Sequence, residues 1–119
     1  MTSIFRRTIL TAASFALVGA FATTTPIAHA ADLPVFNLSV KDGYFTPNKI
    51  EVPANTKFKI AFKNEGTGPE EFESSELHIE KVLSPGASSF IVIQPLKAGS
   101  YKFVGEFHPK TALGVIVAK

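Results

Sequence analysis

The chain closes with Y-K-F-V-G-E-F-H-P-K-T-A-L-G-V-I-V from Tyr101 to Val117, and the pattern of this stretch decides the fold. Tyr101 and Phe103 alternate with Lys102 and Val104, and Val115 alternates with Val117. A period of two marks strands with one buried face. Between the two runs lies a loop that carries Glu106 and His108. The same alternation recurs upstream at Phe36, Leu38 and Val40, and at Phe58, Ile60 and Phe62. Asp42-Gly43, Pro53-Ala54-Asn55, Gly66-Thr67-Gly68-Pro69, Pro85-Gly86 and Lys97-Ala98-Gly99 separate the runs at intervals of roughly ten residues, the turn spacing of a sandwich. The chain therefore reads as all-β: an antiparallel Greek-key sandwich or barrel of about seven to eight strands. The strands are expected at 34–41, 48–52, 56–63, 70–74, 79–83, 88–93, 100–104 and 112–118. Only Phe72 to Leu77 leaves room for a short helical turn, and His78 is expected on a strand with Leu77 and Ile79, exposed and structural.

The other end of the chain does not belong to this pattern. Arg6 and Arg7 precede an uncharged apolar run from Thr8 to Ala22, and Ala28-His29-Ala30 follows. That order is the order of a secretory signal peptide with a small-x-small cleavage site. The run is too short to span a bilayer comfortably. Residues 1–30 are therefore expected to be a cleaved leader and residues 31–119 the folded domain, periplasmic and not membrane-embedded. Cleavage also changes the charge, because both arginines leave and ten Lys then face ten acids. Without a basic surface or a guanidinium, nucleic-acid binding has no support.

The remaining charge is unevenly placed. Glu65, Glu70, Glu71, Glu73, Glu76 and Glu80 fall in a window without lysine, which produces a local negative field. No cysteine is present, so neither a disulfide nor a thiolate metal site can form. Stability must come from a small core, and Phe36, Phe45, Phe58, Phe62, Phe72, Phe90, Phe103 and Phe107 are expected to fill it. No Ser-His-Asp set or phosphate-cradling glycine loop appears, which leaves hydrolase chemistry without support.

The closing stretch resembles the last two strands of a cupredoxin, Y-x-F-x-C-x-x-H followed by a Met and x-G. Matching Tyr101, Phe103, His108 and Gly114 puts Gly105 where the copper-binding Cys would stand and Ala112 where the axial Met would stand. F-K-N-E-G-T-G-P-E-E-F from Phe62 to Phe72 resembles the segment before the first His ligand, and Glu70 takes that ligand's place. V-K-D-G-Y-F-T-P-N-K-I-E-V-P-A from Val40 to Ala54 resembles the opening hairpin of small bacterial cupredoxins. Within that family, E-E-F-E-S (Glu70 to Ser74), E-K-V-L-S-P-G (Glu80 to Gly86) and G-E-F-H-P-K-T-A-L-G (Gly105 to Gly114) are similar to the periplasmic cupredoxin-like proteins of bacterial ferrous-iron uptake systems.

The resemblance implies a protein that binds copper and/or iron ions without a blue-copper site, oxidises ferrous iron in a ferroxidase-type step, and serves an inner-membrane iron permease and other periplasmic uptake components. It nominates Glu70, Glu71, Glu73, Glu106 and His108 as metal ligands, with Glu80 as an outer member. Residue chemistry points the same way. Carboxylates with one imidazole suit iron, manganese or cupric ion rather than Cu(I), and they favour ferric over ferrous iron. Strand parity with Phe72 inward sends Glu70 to the inner side and Glu71 and Glu73 to the other face. Glu65 and Glu76 are expected only to add to the field. Two alternatives stand beside this reading: a non-catalytic metal-binding module, and a metal-free adaptor sandwich that docks through its acidic window.

Overall fold

The computed structural model describes Asp32 to Lys119; the leader expected over residues 1–30 lies outside the described residues. Nine strands follow one another: β1 (Val35–Lys41), β2 (Tyr44–Thr46), β3 (Lys49–Val52), β4 (Phe58–Asn64), β5 (Glu70–Ser74), β6 (Ile79–Leu83), β7 (Ser88–Ile93), β8 (Gly99–Val104) and β9 (Leu113–Ala118). They form a four-stranded sheet in the order β2-β1-β4-β7 and a five-stranded sheet in the order β3-β9-β8-β5-β6, a cupredoxin-like sandwich. Among the described residues no helix is long and apolar enough to cross a membrane.

Eight of the nine strands stand where the alternation puts them. The ninth, β2, is only three residues long, too short to display a period. It exists because Asp42 and Gly43 both adopt positive φ, 46° and 86°, and fold β2 back on β1 with Lys41 opposite Tyr44. Two central residues with positive φ match the twist of a tight hairpin, and Asp-Gly tolerates that conformation best.

Three expectations need correction. The pairing is not wholly antiparallel, since β1 runs parallel to β4 and β3 parallel to β9. The chain leaves the first sheet after β2, places β3 in the second, and returns at β4 in the original direction. There is no helical turn at Phe72, where β5 continues to Ser74. His78 lies in the turn after β5 rather than on a strand, at φ 55°.

The two inner faces meet around phenylalanines. Phe72 stacks on Phe103 with centroids 4.8 Å apart, Phe45 meets Phe103 edge-on at 4.9 Å, and Phe62 lies 6.1 Å from Phe72. All four are buried. Burying each such ring stabilises the fold by roughly 1.5–3 kcal/mol, and aromatic pairing adds about 0.5–1.5 kcal/mol per pair. Gly114 sits directly opposite Phe103 on β9, and a Cβ there would fall 2.2 Å from the ring. The ring therefore lies across the glycine. Not every phenylalanine goes inside: Phe90 is 60% and Phe107 48% exposed, and Phe36 is only half-buried.

Candidate metal centre

One end of the sandwich is built from four segments that converge there: the β1–β2 turn, the β4–β5 loop, the start of β5 and the loop joining β8 to β9. Asn64 shapes the second of these. Fully buried, it donates from Nδ2 to the Gly68 carbonyl (2.8 Å) and the Leu83 carbonyl (3.1 Å), and its Oδ1 accepts from the Gly66 N–H (2.9 Å). The loop is thereby closed tightly before Pro69, and Glu70 enters β5 with a fixed direction.

Glu70 points inward and is 1% exposed. Its Oε1 accepts from the Gly43 N–H at 2.9 Å. His108 Nδ1 lies 3.3 Å from each of the two carboxylate oxygens. An ionised carboxylate only accepts, so beside an ionised Glu70 the tautomer that fits this contact carries its proton on Nδ1. The imidazole sits at the rim, with 44% of its side chain exposed. Gly43 is what allows this closeness: a Cβ there would lie 2.7 Å from His108 Cγ and 2.9 Å from Thr111 Oγ1.

The loop that presents His108 is tied at its base. The Gly105 N–H donates to the Ala112 carbonyl at 2.9 Å, and the Ala112 N–H donates to the His108 carbonyl at 2.8 Å. Gly105 and Ala112 are both buried. Glu70, Gly105, His108 and Ala112, distant in sequence, thus converge at one end of the sandwich.

Glu71 departs to the other face, as parity requires, together with Glu73. It is nonetheless buried, because the β8–β9 loop folds over it and the Glu106 N–H donates to its Oε2 at 3.1 Å. Burial raises the Glu71 carboxyl above the usual range; the hydrogen bond from Glu106 works against that shift, while nearby Glu80 and Glu73 add to it. Glu73 is raised first by desolvation, then by Glu106 and Glu80. Glu73 stands directly opposite Glu80 across the β5–β6 pair. The proposed ligands therefore divide into two groups: Glu70 with His108, and Glu71, Glu73 and Glu106 with Glu80. They do not form one shell.

Two participants escaped sequence reasoning. Gly43 was legible only as a turn glycine. Glu76, expected to be a bystander, accepts from the Lys102 N–H at 3.3 Å while the Ser74 hydroxyl donates to the Lys102 carbonyl at 2.8 Å. These side chains take over where β5 and β8 drift apart beyond the Glu73–Val104 pair. Glu65 remains exposed, 4.0 Å from Lys63.

The donor set can be tested against a metal. A blue-copper centre does not fit. Gly105 and Ala112 offer no donor, and a Cβ on Gly105 would meet the Ala112 Cβ at 2.9 Å and the Glu71 carbonyl at 3.0 Å. The obstacle to a cysteine there is space, since the Gly105 φ lies outside the left-handed region. Among the described residues no group of three or more His, Cys, Asp or Glu is gathered closely enough to hold an ion by itself. What remains is one carboxylate and one imidazole, a pair suited to a hard or borderline cation whose other positions are filled by water.

Comparison with known proteins agrees with the fold. A protein 44% identical over 80 residues, the uncharacterized protein RP394 of Rickettsia prowazekii (strain Madrid E), aligns with 67% of the chain, and the chain spans 64% of that relative's length. Auracyanin A, a blue copper protein of Chloroflexus aurantiacus, superposes with TM-score 0.60 at 12% identity, over 71% of this chain and 98% of that one. The metal-binding domain of the Cu(I)-exporting ATPase CopA of Streptococcus pneumoniae D39 gives 0.63 at 16% identity, over 71% and 84%. A purple cupredoxin from Nitrosopumilus maritimus gives 0.54 at 18%, over 70% and 98%. The family model described as "Cupredoxin-like domain" matches residues 13–118, and the chain belongs to that family.

Proposed function

We propose that this protein is a periplasmic cupredoxin-fold metal-binding protein that captures ferrous iron at the Glu70–His108 corner, oxidises it with cupric ion as the electron acceptor, and delivers it to an inner-membrane iron permease. The observation that carries the reading is the position of His108 Nδ1, 3.3 Å from both oxygens of a buried glutamate at the end of the sandwich. A cation entering there replaces the Nδ1 proton and gains one imidazole and one carboxylate together. Each ferrous ion gives up one electron and each cupric ion takes one. The carboxylate side of the exchange favours the ferric product, because the higher charge gains more from an anionic ligand. Glu71, Glu73, Glu80 and Glu106 lie beside this corner as an acidic approach that concentrates cations near it.

Titration of the purified protein with ferrous and cupric ions, separately and together, tests the proposal when binding and ferric product are both followed. Tight binding of each ion and ferric product only with both present are the expected results. Binding without ferric product leaves a non-catalytic metal module. A second reading has its own support, since the Glu70 carboxylate already has the Gly43 N–H and His108 as partners and needs no ion for satisfaction. A protein that binds neither ion is a metal-free adaptor.

A further inference from the structure

The four sheet edges are not protected alike. β2 has three residues and runs into Pro47; β3 has four, carries Lys49 and Glu51, and runs into Pro53; β6 presents Glu80 and Lys81. Shortness, charge and proline are the means by which sheets keep their edges from pairing. β7 has none of them within its length, and Pro95 comes only after Gln94 beyond its end. Its six residues, Ser88-Ser89-Phe90-Ile91-Val92-Ile93, include no charge and no proline, and among the described residues only β4 pairs with it. On its outer face Phe90 is 60% and Val92 43% exposed. The edge thus offers unpaired backbone groups and two apolar side chains with no charge in the strand, whereas exposed Val82 on β6 stands beside Glu80 and Lys81 and exposed Tyr44 lies on a strand of three residues.

We propose that β7 pairs with β7 of a second copy of this chain, antiparallel about a two-fold axis, joining two four-stranded sheets into one of eight strands. A second copy suits this edge because it brings an equal length of strand with no charge of its own, and the cation that reaches it, Lys59 of the neighbouring β4, is held over the Phe90 ring 5.6 Å from its centroid. The geometry also fixes the register. A two-fold axis normal to the sheet keeps the outer face outward, and directly opposed residues point to the same side. The axis must therefore lie midway between one residue and the same residue of the second copy, so that this residue is opposite itself. Centred on Ile91, it sets Phe90 opposite Val92 of the second copy, twice, with Ile91 opposite itself and Ser89 opposite Ile93. Aromatic and β-branched partners across strands are a favourable pair. Centring on Phe90 would oppose Val92 to Ser88, and centring on Val92 would oppose Phe90 to Gln94; on the exposed outer face only the Ile91-centred register pairs apolar with apolar, at the cost of Ser89 facing Ile93 on the inner face. The inference stands apart from the metal reading, because no residue of β7 belongs to the candidate centre.

Sedimentation velocity over a micromolar to millimolar concentration series is the test. The protein is expected to run as a discrete dimer. Val92→Lys, at an exposed position that the core does not need, is expected to weaken dimerisation at least about tenfold. Val82→Lys, at the exposed position of the β6 edge, is expected to leave it unchanged. Because the chain has no cysteine, Phe90→Cys combined with Val92→Cys gives a disulfide-linked dimer on mild oxidation, whereas Phe90→Cys alone does not. Amide exchange on the parent protein, which needs no variant to fold, is expected to show β7 amides slowing as concentration rises. A monomer throughout, open-ended polymers, equal loss with Val82→Lys, no loss with Val92→Lys, cross-linking by Phe90→Cys alone but not by the pair, or concentration-independent exchange in β7 would each overturn the proposal.

Discussion

Glu70 and Glu71 are adjacent in sequence and both buried, yet their surroundings are opposite in kind. Strand alternation turns Glu70 toward the Gly43 N–H and His108, both donors at this site. It turns Glu71 toward one N–H, that of Glu106, and otherwise toward the carboxylates of Glu73 and Glu80. Burial first, and the neighbouring Glu80 and Glu73 carboxylates after it, raise the Glu71 carboxyl above its ordinary value, whereas Glu70 faces two donors. The difference teaches that the density of glutamates along a sequence does not locate a binding pair. On the proposed function, the corner with a single glutamate takes the cation and the glutamate-rich face supplies field.

The comparison breaks most visibly if its keystone is removed. Gly43 holds φ 86° and lies against His108, where a Cβ would come within 2.7 Å. Gly43→Ala is expected to destabilise the domain by about 2–3 kcal/mol, from the left-handed conformation and the overpacking together. Denaturant unfolding measures it. A loss below 1 kcal/mol would mean that the turn yields easily and that the contact with His108 is not enforced.

Next in size is the loss of the donors themselves. Glu70→Gln and His108→Ala are each expected to weaken binding of cupric or ferrous ion by at least about tenfold, the lower end of what even a supporting ligand costs. Glu65→Gln, exposed beside Lys63, is the matched control and should do little. Calorimetric titration decides it. If Glu71→Gln weakens binding more than Glu70→Gln, the assignment of corner and face is reversed.

The strands were legible because alternation is a local property, and every strand longer than three residues announced itself. β2 did not, since three residues carry no period and its existence depends on the Asp42-Gly43 turn. The two parallel pairings were hidden for another reason: direction within a sheet is set by which sheet the intervening segment visits, and nothing in residues 44–52 states that β3 crosses over. At the site, parity correctly separated Glu70 from Glu71 and Glu73. It could not show that the β8–β9 loop buries Glu71, because that loop's path is fixed by contacts between residues 105 and 112. Nor could it assign Glu76, whose partner Lys102 lies 26 positions away.

A smaller effect sharpens the electrostatic half of the comparison. The Glu71 carboxyl is raised above its ordinary value of 4.5, chiefly by burial. The folded state therefore holds this proton more firmly than the unfolded chain does, and the stability that the group contributes is complete below about 4.5 and lost as pH rises through the raised value. Glutamine cannot ionise. Glu71→Gln is accordingly expected to unfold like the parent at acid pH and to be the more stable of the two at neutral pH, as denaturation at several pH values would register. Equal curves across the range would mean that the Glu106 N–H fully offsets burial.

The smallest expected effect belongs to Glu80, which sits opposite Glu73 and acts on both neighbouring carboxyls by its charge. If the face serves only as field, Glu80→Gln should slow cation association by about twofold at low ionic strength, leave the dissociation rate unchanged, and match the parent once salt screens charges beyond a Debye length. Stopped-flow association at low and high salt separates the two possibilities. A difference that persists at high salt, or that appears in the dissociation rate, would mean that Glu80 touches the bound ion. Glu71, Glu73 and Glu80 would then have to draw together on metal binding, since among the described residues they are not gathered closely enough to hold an ion as they stand.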